Sequence, residues 1–335
     1  MKKTLYTMAI LSAFSAVQAQ STLASVKSKG ELVCGASQGI AGFSVADDKN
    51  NWSGIDVDFC RAVASAIFDD PSKARFVPLS AKERFTAIQS GEVDLLSRNT
   101  TETMSRDATL GLNFVGVTYY DGQGFMVRKS LGVSSAKELD GAAVCTDTGT
   151  TTELNINDYF KANNLAFKPV VFEKKDEVIS AYDAGRCDVV STDISGLESY
   201  RISLKTPSDH MILPEVISKE PLAPAVRHGD DAWLDLVEWS RSCMINAEEL
   251  GVTSSNVEEM KKSDNPNIKR LVGVDGEFGK SIGLSENWCA SIIKHVGNYG
   301  EMYDRNLGPN AATTIDRGLN RLWNDGGIMY AAPIR

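Results

Sequence analysis

The residues with the most evident chemical capacity lie in one short run, Ser97-Arg98-Asn99-Thr100-Thr101-Glu102-Thr103-Met104-Ser105-Arg106-Asp107, where hydroxyls and an amide precede an arginine. A guanidinium such as that of Arg106 grips a carboxylate with two parallel hydrogen bonds, and the hydroxyl of Thr101 adds a donor to the same group. Farther along, Thr148-Gly149-Thr150-Thr151 stands where a helix is expected to begin, and free backbone N–H groups at such an end favour an anion. Asp193, after the run Val189-Val190-Ser191-Thr192, supplies a carboxylate. A fixed cation and a fixed anion are what a site must hold to desolvate a zwitterion without leaving either charge unpaired. Each residue also has a plain structural reading: Arg106 as a surface partner of Asp107, Asp193 as the cap of a helix opening at Ile194, and Thr150 and Thr151 as caps.

Positioning these residues requires a repeated scaffold, and the sequence contains an internal echo. Gln89-Ser90-Gly91-Glu92-Val93-Asp94-Leu95-Leu96-Ser97 parallels Asp183-Ala184-Gly185-Arg186-Cys187-Asp188-Val189-Val190-Ser191, each reading as a helix end, a glycine and a buried strand. Earlier in each half, Glu31-Leu32-Val33-Cys34-Gly35 and Gly141-Ala142-Ala143-Val144-Cys145 read as first strands. Phe59, Val63, Ala66 and Ile67 recur at helical spacing after Asp56, read as a cap, and a second helix is expected from about Ala81 to Gln89. Thr150 to Asn163 and Asp176 to Ala184 play the matching parts in the second half. Strands alternating with helices predict two similar α/β lobes with parallel strands and ligands at the strand C-terminal ends, where Asn99, Thr101, Thr148 to Thr151 and Asp193 fall. The link between lobes is expected around Tyr119 to Gly124, with a return near Leu213-Pro214 to Pro224. Trp233, Leu236, Val237 and Trp239 then share a helical period in a C-terminal region expected to pack on a lobe.

The beginning of the chain predicts export. Lys2 and Lys3 precede an apolar run from Leu5 to Val17, and Val17-Gln18-Ala19 suits cleavage after Ala19. The run is shorter than the ~20 residues of a membrane span. The remaining length suits two domains of ~100 to 200 residues. A formal net charge of −9 argues against nucleic acid and anionic membrane surfaces as partners. Six cysteines are an even number in a compartment where disulfides persist. Six thiols allow ~15 pairings, but Cys34 and Cys60, Cys145 and Cys187, and Cys243 and Cys289 each share a region, which predicts bridges within those pairs. Without Cys-x-x-Cys spacing and with only His210, His228 and His295, no metal or other cofactor is expected.

These motifs, with Gly54-Ile55-Asp56-Val57-Asp58-Phe59, Phe85 to Asp94 and Gly149-Thr150-Thr151, resemble the extracellular solute-binding proteins of polar and general amino-acid ABC transporters over nearly the whole mature chain. The resemblance implies the type II periplasmic-binding-protein fold, an α/β architecture of two lobes joined by a hinge. It divides the chain into a signal peptide (1–19), a first lobe (20–120), a second lobe (121–220) and a return to the first lobe with a helical extension (221–335). It further implies a periplasmic monomer that closes over a free L-amino acid, with polar, acidic and amide ligands favoured, and hands it to membrane permease subunits. Arg106 would bind the α-carboxylate with Thr101 and Thr151, while Asn99 and Asp193 would hold the ammonium. Arg84 stands where related acidic-amino-acid binders place an arginine toward the ligand side chain, with Arg98 a second candidate. Ser37, Gln38 and Phe43, after the first strand, are candidates for a pocket wall, Phe43 equally for the core. The same fold also hosts carboxylate-binding periplasmic dehydratases, and a sensor feeding a membrane receptor would use the same ligands. Glu153 could reach the cleft, but its spacing from Thr151 points it elsewhere, and no nucleophile, base and orienting group are visible together.

Overall fold

The computed structural model describes residues 21–335, so the leader and its cleavage point lie outside the described residues. Two five-stranded sheets carry the structure, and they share one plan. In the first, Ala74–Leu79, Leu32–Ser37 and Leu95–Leu96 run parallel. Ala225–Arg227 then pairs antiparallel with Leu95–Leu96 and with the outer strand Leu112–Phe114. In the second, Phe167–Phe172, Ala142–Asp147 and Val189–Asp193 run parallel. Gln123–Arg128 is antiparallel to its neighbours Val189–Asp193 and His210–Ile212. The echoed sequences thus occupy equivalent places: Cys34 is level with Leu95 and Cys145 with Val190. All residues of Leu32–Ser37 are buried, as expected of a strand covered on both faces.

The helices follow from the apolar spacing, with two local differences. Glu83–Ser90, Thr151–Ala162 and Lys175–Asp183 fall close to their expected spans. The helix Ile55–Phe68, however, begins after Gly54, and Asp56 lies inside its first turn, buried. Gly54 has φ 127°, and a Cβ there would sit 2.0 Å from the Phe43 carbonyl oxygen, so only glycine fits this start. Asp56 is therefore no cap. Nor do prolines simply break the return segment, because Pro221 sits within a short strand, opposite Tyr120.

Two strands, Tyr119–Asp121 and Glu220–Leu222, pair antiparallel where the chain passes between the sheets. A Cβ on the adjacent Gly122 would meet Val216 Cγ1 at 2.3 Å, so the two crossings run in close apposition. Beyond the second crossing, the helices Asp231–Glu249, Trp288–His295 and Tyr299–Leu307 bury their apolar faces against Ile55–Phe68 and enlarge the first lobe's core. Trp233 is fully packed there and its indole N–H donates to the Asp94 carbonyl at 3.1 Å. No helix among the described residues is long and apolar enough to cross a membrane.

Three disulfides join the cysteines within regions: Cys34–Cys60, Cys145–Cys187 and Cys243–Cys289. The last ties helix Asp231–Glu249 to helix Trp288–His295 across a sequence separation of 46 residues. Closing such a loop removes freedom from the unfolded chain and stabilises the fold by ~2–4 kcal/mol. Replacing Cys243 and Cys289 together by alanine is expected to lower the unfolding free energy by about that amount in denaturant titration. An unchanged midpoint would show that the bridge does not stabilise this region.

Candidate binding site between the lobes

A small cleft lies where the C-terminal ends of the parallel strands from the two sheets face each other. Arg84, Arg98, Asn99 and Thr101 line it from the first lobe, and Asp147, Thr150, Thr151, Lys175 and Asp193 from the second. The lobes touch around it, since the Ala41 N–H donates to Ser199 Oγ at 2.8 Å.

The loop after strand Leu95–Leu96 brings Asn99 and Thr101 to the wall. Asn99 has φ 33°, and its N–H donates to the Asp56 carboxylate at 2.8 Å. Ser97 Oγ approaches the other Asp56 oxygen at 3.4 Å. Asp56 thus anchors the turn from beneath. Burial raises its carboxyl to about 7, partly opposed by the Asn99 N–H and by the charge of Arg98. The Asn99 side-chain oxygen is buried with no hydrogen-bond partner.

Three arginines stand on the first-lobe side. Arg84 is buried; one of its terminal nitrogens donates to Thr100 Oγ1 at 3.3 Å, while its Nε has no partner. Burial, then the charges of Arg106 and Arg98, push its guanidinium well below its ordinary pKa. Arg98 is held by a 3.0 Å bond from its Nε to the Leu79 carbonyl. Arg106 lies beside the lining, its guanidinium 5.1 Å from the Phe85 ring centre and donating to the Thr101 carbonyl at 2.7 Å. Burial lowers Arg106 to about 10, against the opposing pull of Glu220 and Asp193.

The second lobe supplies the anion. Asp193 ends its strand and stands at the helix cap position of Ile194–Ser203, but its side chain makes no capping bond. Asp121 does that work, accepting from the N–H and hydroxyl of Ser195. Burial first, then the neighbouring Asp121 and Glu220 carboxylates, raise the Asp193 carboxyl well above its usual range. Thr150 is a true cap, accepting from the Glu153 N–H at 3.2 Å. Glu153 turns back to the Gly149 N–H at 3.0 Å rather than into the cleft.

Glu220, on the connecting strand, carries no sequence signal yet organises the site. Its buried carboxylate accepts from Thr101 Oγ1 at 2.6 Å and Thr151 Oγ1 at 3.0 Å, one from each lobe. Asn155 Nδ2 at 2.9 Å and Ser218 Oγ at 2.6 Å complete four bonds. A hydroxyl has one proton to give. The hydroxyls of Thr101 and Thr151 are therefore committed to Glu220, whereas their backbone N–H groups donate to no protein acceptor among the described residues. Lys175 and Tyr200 carry no sequence signal either. Asp147 had one available signal, since it and Ser37 both end the first strand of their half.

Of the remaining candidates, Ser37 directs its hydroxyl to Ser44 and Phe43 is buried in the first lobe's core, 5.1 Å edge-on from Tyr119. Gln38 is exposed at the strand end. Phe43 is thus a core residue rather than a wall, because the chain reverses between Ile40 and Ser44 and turns its ring inward. No group of three or more histidine, cysteine or carboxylate side chains suited to a metal occurs among the described residues.

Known proteins resemble this chain in sequence and in overall fold. The model for bacterial extracellular solute-binding proteins, family 3, matches residues 32–326. A general L-amino acid-binding periplasmic protein of Rhizobium johnstonii is 59% identical over 98% of this chain and 96% of its own length. The glutamate/glutamine/aspartate/asparagine-binding protein of Rhodobacter capsulatus is 50% identical over the full length of both. An ABC transporter periplasmic binding protein from Brucella ovis, solved with glutathione bound, is 56% identical and superposes with a TM-score of 0.92, covering 94% of this chain and 100% of its own.

The raised carboxyl of Asp56 has a consequence for stability. Below about pH 4 it is protonated in both folded and unfolded chains; as pH rises toward 7 the unfolded chain ionises first, so stability from this group falls across that window. Asp56→Asn removes this slope. The stability difference between variant and wild type is expected to move in the variant's favour from pH 4 to pH 7 in denaturant titrations, and a constant difference would contradict it.

Proposed function

The chain belongs to the bacterial extracellular solute-binding proteins of family 3, and we propose that it captures free L-amino acids in the periplasm for an ABC importer, by closure of the two lobes around the ligand's charged α-groups. One observation carries this reading: among the cleft's charged residues, a buried acceptor, Asn99 Oδ1, and a buried donor, Arg84 Nε, both lack partners. An acidic amino acid fills both, its ammonium donating to Asn99 Oδ1 and its side-chain carboxylate accepting from Arg84 Nε.

In this reading Arg106 receives the α-carboxylate, joined by the backbone N–H groups of Thr101 and Thr151, whose hydroxyls Glu220 holds. The opening turn of Thr151–Ala162, capped by Thr150, adds its field to the same anion. Asp193 and Asn99 Oδ1 receive the ammonium. An arriving cation offsets the burial and the Asp121 and Glu220 charges that hold the Asp193 carboxyl up, and so favours its ionised form. Arg84 reaches an acidic side chain. The ligand meets one lobe first, and closure completes the contacts, shifting the population by its differential affinity for the closed form. A permease that engages the closed form would take the ligand onward.

The relatives are named for general L-amino acids and for glutamate, glutamine, aspartate and asparagine, which supports a broad range here. Binding without catalysis fits the inward turn of Glu153 to Gly149. Export with cleavage after Ala19, and action as a monomer, belong to the same proposal.

A thermal-shift screen of the twenty amino acids, with dicarboxylates lacking an α-amino group as controls, tests the ligand class; stabilisation by the controls would exclude the ammonium role of Asp193. In calorimetry, Arg106→Ala is expected to weaken all amino acids alike by ~2–5 kcal/mol, the cost of truncating a buried charge pair. Retained affinity would remove Arg106 from the site. Arg84→Ala is expected to weaken glutamate and aspartate selectively, and an equal loss for glutamine would overturn its side-chain role.

A further inference from the structure

Beyond the α-groups, the second lobe contributes a charged pair that no sequence motif marks. Lys175 opens the helix Lys175–Asp183, and Asp147 ends the strand Ala142–Asp147. Both are buried and both line the cleft with Arg84 and Arg98. The Lys175 Nζ lies 3.8 Å from Asp147 Oδ2, an ion pair in which the two atoms are too far apart for a normal hydrogen bond. Tyr200 OH stands between them, accepting from Lys175 Nζ at 3.2 Å and donating to Asp147 Oδ2 at 3.4 Å. Of the three protons on the ammonium, one is used by the tyrosine.

A buried ammonium with spare donors beside a buried carboxylate with a spare acceptor can read either of two groups. A side-chain carboxylate takes hydrogen bonds from Lys175, with Arg84 and Arg98 offsetting its repulsion from Asp147. A side-chain carboxamide gives its carbonyl oxygen to Lys175 and its NH2 to Asp147. The two ligand types are nearly equal in size, so shape alone separates them poorly. A site holding only cations would leave the amide NH2 unpaired and reject it.

We propose that Lys175 and Asp147 form the side-chain subsite, a paired donor and acceptor that admits both acidic amino acids and their amides. This rests on the amino-acid reading given above. Burial lowers the Lys175 ammonium to about 8, countered first by Asp147, so the carboxylate that accepts the amide also keeps the lysine charged.

Calorimetry on the mature protein with L-glutamate, L-glutamine and L-alanine tests it. Lys175→Gln is expected to weaken glutamate by ~30-fold or more, glutamine by less and alanine hardly at all. Asp147→Asn is expected to weaken glutamine relative to glutamate. Equal effects of Lys175→Gln on the three ligands, or a loss of glutamate exceeding that of glutamine in Asp147→Asn, would overturn the subsite. Lys175→Arg, which keeps the charge, is expected to hold more glutamate affinity than Lys175→Gln; if Lys175→Gln does not fold, failure of Lys175→Arg to alter the glutamate-to-glutamine ratio would overturn the proposal instead. Wild-type protein that binds none of the three would refute the amino-acid reading itself, a result distinct from normal binding with unselective variants.

Discussion

The Glu220 carboxylate accepts a hydrogen bond from the Thr101 hydroxyl of one lobe and another from the Thr151 hydroxyl of the other, while sitting on the strand that connects them. A buried anion is tolerated only when its lone pairs are filled, and here Asn155 and Ser218 fill the remainder. The bonds also fix which way the threonines point. Their hydroxyls are committed to Glu220, while their backbone N–H groups donate to no protein acceptor among the described residues. One carboxylate thus ties a residue of each lobe to the connecting strand.

Charge balance then constrains the rest of the cleft. Arg84, Arg98, Arg106 and Lys175 are all buried close together, and each is pushed toward neutrality chiefly by loss of solvent. Asp56, Asp147, Asp193 and Glu220 stand among them, so the cations are tolerated by neighbours rather than by water. Asp56 shows how such a group can be structural: it never faces the cleft lining, yet it holds the Asn99 N–H and so the positive-φ turn that delivers the amide oxygen. Backbone geometry and electrostatics meet in that one contact.

The two sheets give this arrangement its economy. The same strand order in both halves brings two sets of strand ends to face each other, so each half contributes one part of the charge pattern. In the proposed division, the first lobe holds Arg106 and Asn99 and the second holds Asp193. The cation proposed for the α-carboxylate and the anion proposed for the ammonium thus come from different lobes. A ligand with both is the one that gains most from closure, which is how a shared polar frame can accept many side chains while requiring the α-groups.

Much of this was legible in the residues themselves. Helical apolar spacing and the repeated glycine-strand segments determined two α/β halves, because strand burial and helix ends depend on local pattern. Cysteine grouping indicated the pairs that the fold joins, and the run containing Thr101 and Arg106 was visible as chemistry. What the sequence could not decide was which side chains converge. Glu220, Lys175 and Tyr200 lie on segments without motifs and reach the cleft only because the lobes face each other; Phe43, close to the same strand end as Gln38, turns into the core because the chain reverses at Ile40. Asp193 has the sequence position of a cap, yet Asp121, distant in sequence, accepts the Ser195 N–H. Local pattern sets elements, whereas the partner of a buried charge is chosen by residues brought near through tertiary packing, and that choice decided the site.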